Sequence, residues 1–447
     1  MCGPFIVRSG FVFILLAVIS PVFGQSPPAP TLEELQAELD ALRAENQERI
    51  ADLEAQIEAL EIQILRASAE PSASSAASSP AATQTTFNAL NPGISVVGNF
   101  LGRVDNQPVV NADGDRLDDG INLREVEVDL RVPVDPYADG VLILSLESET
   151  PGSFEAGVEE GYVNIKKLPF MESPLGLKFQ VGRFRPAFGR FNILHTHDLP
   201  QSTRSLVTGE FLGEEGFVQQ GVSADFFVPF PWDENSSVNA RIQMLGGGSV
   251  SLAPEPNQNL AYLGNIRWFR SFGDSHSTDI GWSTYIRPKT AGLPIARMHA
   301  VDILYRWRPL RQGQWKSYLL GGEVMFADHQ RLDAAEPVEV AESVDPGAVG
   351  VVPERPLGYT VFTQWQFDQR KYGGVRWDNT STLVDPTLRR KSLTPYLSYY
   401  FSEFLRLRLN FEHRWSDIVS EDGRNSFLVE LNWIFGAHPP EPFWVNR

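Results

Sequence analysis

Phe427-Leu428-Val429-Glu430-Leu431-Asn432-Trp433-Ile434-Phe435 decides the fold. Phe427, Val429, Leu431, Trp433 and Phe435 fall on one side of a period of two. Leu428, Glu430, Asn432 and Ile434 fall on the other. A strand sends alternate side chains to opposite faces, so this is a strand with one apolar and one mixed face. The stretch before it repeats the pattern, with Leu405, Leu407, Leu409 and Phe411 against Arg406, Arg408, Asn410 and Glu412.

Working outward, such alternations recur back to Gly93, and sixteen strands are predicted between 94–104 and 425–436, among them 157–168 and 175–185. A soluble sandwich alternates too, so three further observations separate the two. The connections are alternately short and long, as when short turns face the periplasm and long loops the outside. The longest, about 186–216, follows the fifth strand, and the next longest, about 328–356, follows the eleventh. The polar faces are charged: Glu125, Glu127, Asp129 and Arg131 oppose Val126, Val128, Leu130 and Val132, and Asp302, Arg306 and Arg308 oppose Val301, Ile303, Tyr305 and Trp307. That suits lipid outside and water inside better than a second sheet. Third, the N-terminus reads as an export signal over 1–24: Arg8, then an apolar core over 11–19 too short to span a membrane, then a small-residue cleavage site at Gly24. The one cysteine, Cys2, lies in that segment and ahead of its apolar core, so neither a disulfide nor a lipoprotein anchor is expected. Aromatics at 11% of residues supply the interfacial girdles of such a barrel.

A proline-rich spacer (25–30) precedes a predicted helix over 31–66. Thr31 and Glu34 form a capping box. Leu32, Leu35, Leu39, Leu42, Asn46, Ile50, Leu53, Ile57, Leu60 and Ile64 make a coiled-coil seam with one stutter beside Asn46. Its alternative reading is a single amphipathic helix packed on the barrel. Residues 67–92 are an Ala/Ser/Pro linker, 93–436 the barrel and 437–447 a C-terminal tail. The expected fold is thus an all-β transmembrane barrel of about sixteen antiparallel strands preceded by a periplasmic α-helical coiled coil, with the C-terminus also periplasmic. A net charge of −18 argues against a nucleic-acid partner.

Val181-Gly182-Arg183-Phe184-Arg185-Pro186-Ala187-Phe188-Gly189-Arg190 ends a strand and opens the longest loop. With the strand count and the seam, the chain resembles the phosphate-selective porin O and P superfamily. It resembles more closely a porin-like branch of outer-membrane proteins, through His195-Thr196-His197-Asp198-Leu199-Pro200, Phe211-Leu212-Gly213-Glu214-Glu215-Gly216 and Gly436-Ala437-His438-Pro439-Pro440-Glu441-Pro442-Phe443. Residues 94–447 carry the resemblance. It implies a homotrimeric porin, in contact with outer-membrane lipid and lipopolysaccharide, that passes small hydrophilic solutes, anions such as phosphate among them. The rival reading is a structural anchor whose coiled coil contacts the cell wall.

By parity, Arg131, Lys166, Lys178, Arg241 and Arg267 face the lumen, as do Arg287, Arg306, Arg308, Arg406 and Arg408. They either tune selectivity as rings of charge or pair with carboxylates such as Glu125, Glu127, Asp129, Asp302 and Glu412. Parity leaves Arg183 and Arg185 on the lipid side unless a bulge at Gly182 intervenes. The long loop carries Arg190, His195, His197, Asp198 and Arg204, candidates for a pore constriction if it folds inward, or for an external lid if it does not. His195 and His197 lack a third ligand in the sequence around them, so no metal centre is expected. Asp113, Asp115, Asp118 and Asp119 look like a calcium loop, but Arg124 replaces the final Glu; an acidic outer loop bridging divalent cations is the alternative. No serine is tied to a histidine by a motif, and no cofactor motif is present, so an enzyme is not expected.

Overall fold

The computed structural model describes residues 93–110, 116–117, 119–148, 154–247, 257–288, 295–313, 315–327, 355–383, 385–437 and 442–445. The chain divides after Pro80, and all described residues belong to the second unit. The signal segment, spacer, coiled coil and linker lie outside the described residues, as do Asp113, Asp115 and Asp118 of the acidic loop.

Sixteen antiparallel strands close into one barrel. In chain order they are β1 (Gly93–Asp105), β2 (Gly120–Pro133), β3 (Ala138–Glu147), β4 (Glu155–Ile165), β5 (Lys178–Phe184), β6 (Gln219–Val228), β7 (Ser236–Gly247) and β8 (Asn257–Phe272). Then come β9 (His276–Arg287), β10 (Ala296–Trp307), β11 (Ser317–Ala327), β12 (Leu357–Asp368), β13 (Lys371–Ser381), β14 (Arg389–Ser402), β15 (Leu405–Ser416) and β16 (Arg424–Gly436). Each pairs with its chain neighbours. The seam between β1 and β16 runs from Ser95 opposite Gly436 to Asp105 opposite Ser426. Closure leaves no unpaired sheet edge, the condition for backbone to cross lipid.

The alternation read from the sequence is the alternation of the wall. In β16, Leu428, Glu430 and Asn432 are buried inside, while Phe427 and Phe435 are 46% and 56% exposed outside. Glu125, Glu127 and Asp129 of β2 and Asp302 of β10 are buried inside, whereas Ile242, Ile303, Leu397 and Phe411 stand outward. The shortest connections, 273–275, 369–370 and 403–404, lie at one end, and the longest described segment, 185–218, starts from the other.

Two expectations change. The fourth and fifth strands are shorter than predicted, because Pro174–Gly176 forms a 3-10 turn with Leu175 at φ 54° and Pro186, lacking an N–H, stops pairing after Phe184. The interior is also less aqueous than the charged strands suggested. Leu263, Tyr285, Met298, Ala300 and Met325 line an apolar patch of inner wall that packs on the inserted loop.

Because the barrel's hydrogen bonds are closed on themselves, the folded protein should resist detergent until heated. Unboiled and boiled samples are expected to migrate differently on denaturing gels, with circular dichroism dominated by strand. Identical migration would contradict closure.

Candidate pore constriction

The segment 185–218 between β5 and β6 lies inside the barrel. Gly182 keeps its place in β5, opposite Tyr162 and Gly221, so no bulge intervenes there. Its φ is +139°, and a Cβ there would stand 2.2 Å from the carbonyl oxygen of Gly161. The chain turns inward after Phe184, where the strand ends: Arg183 remains on the outward parity and donates to the Glu159 carbonyl at 3.1 Å, whereas Arg185 enters the interior and pairs with Glu159.

A buried segment without regular structure must find partners for its own backbone, and the wall supplies them. Ala187 N–H donates to Gln243 Oε1 at 2.9 Å, Gly189 N–H to Ser283 Oγ at 3.0 Å, and Arg190 N–H to Glu323 Oε2 at 2.6 Å. Gly189 has φ +65°, and a Cβ would clash with Glu323 at 2.5 Å. The Arg190 guanidinium holds Asp302 at 2.9 Å and Asp279 at 3.1 Å. Across the lumen, Arg376 donates to Thr203 O at 2.6 Å and Arg408 to Gln201 O at 2.8 Å. Arg408 also bonds Leu199 O, and Arg406 bonds His197 O. Ser205 caps a short helix, α1 (Leu206–Leu212), by accepting from Thr208 N–H at 3.0 Å. Val207, Phe211 and Leu212 then dock on the apolar patch. Glu210 pairs with Arg390. Asn192, fully buried, ties the two ends together through Pro186 O, Phe217 O and Phe217 N–H at 2.7–2.9 Å.

The histidines meet the opposite wall. His195 spans two carboxylates, Glu127 at 3.0 Å and Glu160 at 2.8 Å. Its ring stacks on His197 at 5.6 Å. Burial opposes charge on both rings, but Glu127, with Glu159 for His195 and Asp198 for His197, outweighs it and holds both pKa values well above the ordinary histidine range. Arg204, buried beside Arg185, is pushed down to about 10, burial first and Arg185 second, and donates to Leu194 O at 2.8 Å.

Of the predicted loop residues, Arg190, His195, His197 and Arg204 are therefore buried and bound, and Asp198 lies 3.6 Å from His197 Nε2 with a third of its side chain exposed. The predicted wall cations divide. Arg131 pairs with Asp129 at 2.7 Å, Arg241 with Asp225 at 2.6 Å, and Arg267 with both Asp302 at 2.7 Å and Asp279 at 3.0 Å. Arg287 is buried, Arg406 and Arg408 hold the loop, and Lys178 is exposed at the start of β5. Lys166 and Arg308 lie beyond strand ends, in connections at the short-turn end. Lys166 meets Asp139 at 2.8 Å and Arg308 donates to Gly313 O at 3.0 Å. Parity, which assumes that the strand continues, placed both on the wall.

The sequence did not point to the tail. Trp444 is 1% exposed inside the barrel, against Tyr372 and Tyr400. Its indole N–H donates to Asp198 O, its carbonyl accepts from Gln364 at 2.9 Å, and the Arg190 guanidinium lies 5.5 Å over the ring of Phe443. The signal was there to read: two adjacent aromatics after the last strand had no place in the wall.

The anion-selective porin from Comamonas acidovorans superposes on this chain with a TM-score of 0.50, covering 77% of it and 99% of that chain at 10% identity. The fold is a porin barrel. The outer membrane channel DcaP of Acinetobacter baumannii gives a TM-score of 0.48 over 77% of this chain and 98% of that one, at 8% identity. An uncharacterized protein of Aquifex aeolicus (strain VF5) is 25% identical over 373 residues, 72% of this chain and 70% of its own length. No family model matches the chain. In this barrel the inserted loop touches the wall from Glu127 of β2 round to Arg408 of β15.

Proposed function

We propose that the protein is an outer-membrane porin passing small hydrophilic solutes by passive diffusion, with segment 185–218 as its constriction. The observation that carries this is the loop's placement: it crosses the lumen and is bound at Asp302 on one side and at Glu127 on the other. Charge beside a narrow, partly dehydrated path acts more strongly than charge on an outer surface. A phosphate-selective path is disfavoured where lumen arginines have carboxylate partners: Arg241 has Asp225 and Arg267 has Asp279 and Asp302. Weak selectivity by size fits this pairing better. Homotrimer formation through 31–66 belongs to the same proposal. The anchor reading rests on those same residues and on nothing in the barrel.

Purified, heat-modifiable protein in planar bilayers is expected to give discrete conductance steps, with a reversal potential near zero in a salt gradient. An intact barrel without steps would refute transport; a strongly anion-selective reversal potential would restore the phosphate reading.

A further inference from the structure

We propose that His197, Glu125 and Glu127 form a binding site for a divalent transition-metal ion such as Zn²⁺, joining the loop to β2. His197 is 4% exposed, yet its Nδ1 makes no hydrogen bond. It points at Glu127 Oε1, 3.3 Å away, and Glu125 Oε2, 3.5 Å away. Ligands about 2.0–2.1 Å from a tetrahedral ion lie about 3.3–3.4 Å from one another, so these spacings suit three first-sphere ligands. Hydrogen-bond geometry is missed while ligand spacing is met.

The charge balance points the same way. A carboxylate oxygen of Glu125 gathers with one each of Glu147 and Glu159 within 4.8 Å. Arg185 is committed to Glu159, and His195 already bridges Glu127 and Glu160. Carboxylates crowded away from water favour positive charge, and a divalent ion that takes the place of the proton on His197 raises that charge by one. His195 takes the outer role familiar at metal centres: its bond to Glu127 orients that ligand. One imidazole nitrogen and two carboxylate oxygens favour a borderline ion over Ca²⁺ or Mg²⁺, which take oxygen alone. A fourth position remains for water.

The sequence could not suggest this, since Glu127 stands on a strand far from the histidines in the chain. The proposal does not depend on transport, and its test does not measure it. The full chain, folded in detergent, stripped with chelator and shown to be heat-modifiable, is titrated with Co²⁺. About one equivalent should bind, with visible absorption bands, and Zn²⁺ should displace it. His197→Gln and Glu127→Gln should each weaken binding at least about tenfold. X-ray absorption of the Zn²⁺-loaded wild type should show a mixed nitrogen and oxygen shell with one imidazole, a reading that needs no variant to fold. No stoichiometric binding at micromolar metal, an all-oxygen shell, or unchanged affinity in folded variants would overturn the proposal.

Discussion

Replacing Arg190 by Glu should unseat the constriction loop while leaving the barrel closed. Arg190 binds Asp302 and Asp279, and its backbone N–H binds Glu323. The substitution removes a guanidinium bound to both aspartates, leaving Arg267 as their other close partner, and adds a carboxylate beside them. Breaking a buried pair in this way costs about 3–5 kcal/mol. The cost falls on the loop, because each strand keeps its own ladder. Limited proteolysis should therefore cut within 185–218, and single-channel conductance should rise and become noisy, with gel heat-modifiability retained. Arg190→Gln, which removes the charge without reversing it, should give a smaller change. Proteolysis and conductance like the wild type in Arg190→Glu would show that the loop is held elsewhere. A charge reversal at this position thus reports loop seating before it reports selectivity.

Truncation after Ala437 should raise conductance severalfold. The cut must spare Ala437, whose N–H donates to Ile94 O at 2.8 Å and extends the seam. It removes Phe443 and Trp444 from the lumen, where they pack with Phe191, Leu199, Tyr372 and Tyr400. Trp444→Ala alone should achieve much of this, since deleting a buried tryptophan costs about 3–5 kcal/mol and the segment's other packed side chains are few. Equal conductance in both variants, with folded barrels, would mean that the solute path runs along another part of the wall.

The wall was legible in the sequence because strand alternation is a local property. Each residue's side follows from its neighbour's, as Glu430 and Phe427 illustrate. What the wall's charges do was not legible, because it depends on pairs far apart in the chain. Arg408 was correctly placed inside, but besides Glu430 opposite it on β16 its partners are carbonyls of Leu199 and Gln201, which a loop presents only once folded. Lys166 and Arg308 failed for the converse reason: the local rule was applied past the point where the strand ends. The loop's position was open between constriction and lid, and its composition suited either. The residues that decide it are small wall side chains such as Ser283 and Asn410, which carry no signal of their own.

The seam between β1 and β16 has a consequence for biogenesis. The first and last strands of the barrel are hydrogen-bonded partners, so the ring cannot shut until the last strand has been made. Contacts between such distant parts of a chain form slowly, because a large loss of chain entropy precedes any gain. Until then two strand edges stand open and invite wrong pairing. Trp444 follows the last strand and docks on Asp198 O, a carbonyl of the seated loop. Its docking therefore needs the loop's seating. The C-terminal tryptophan would then act as a checkpoint of assembly: a chain with a misplaced loop has nowhere to put it, and leaves it exposed instead.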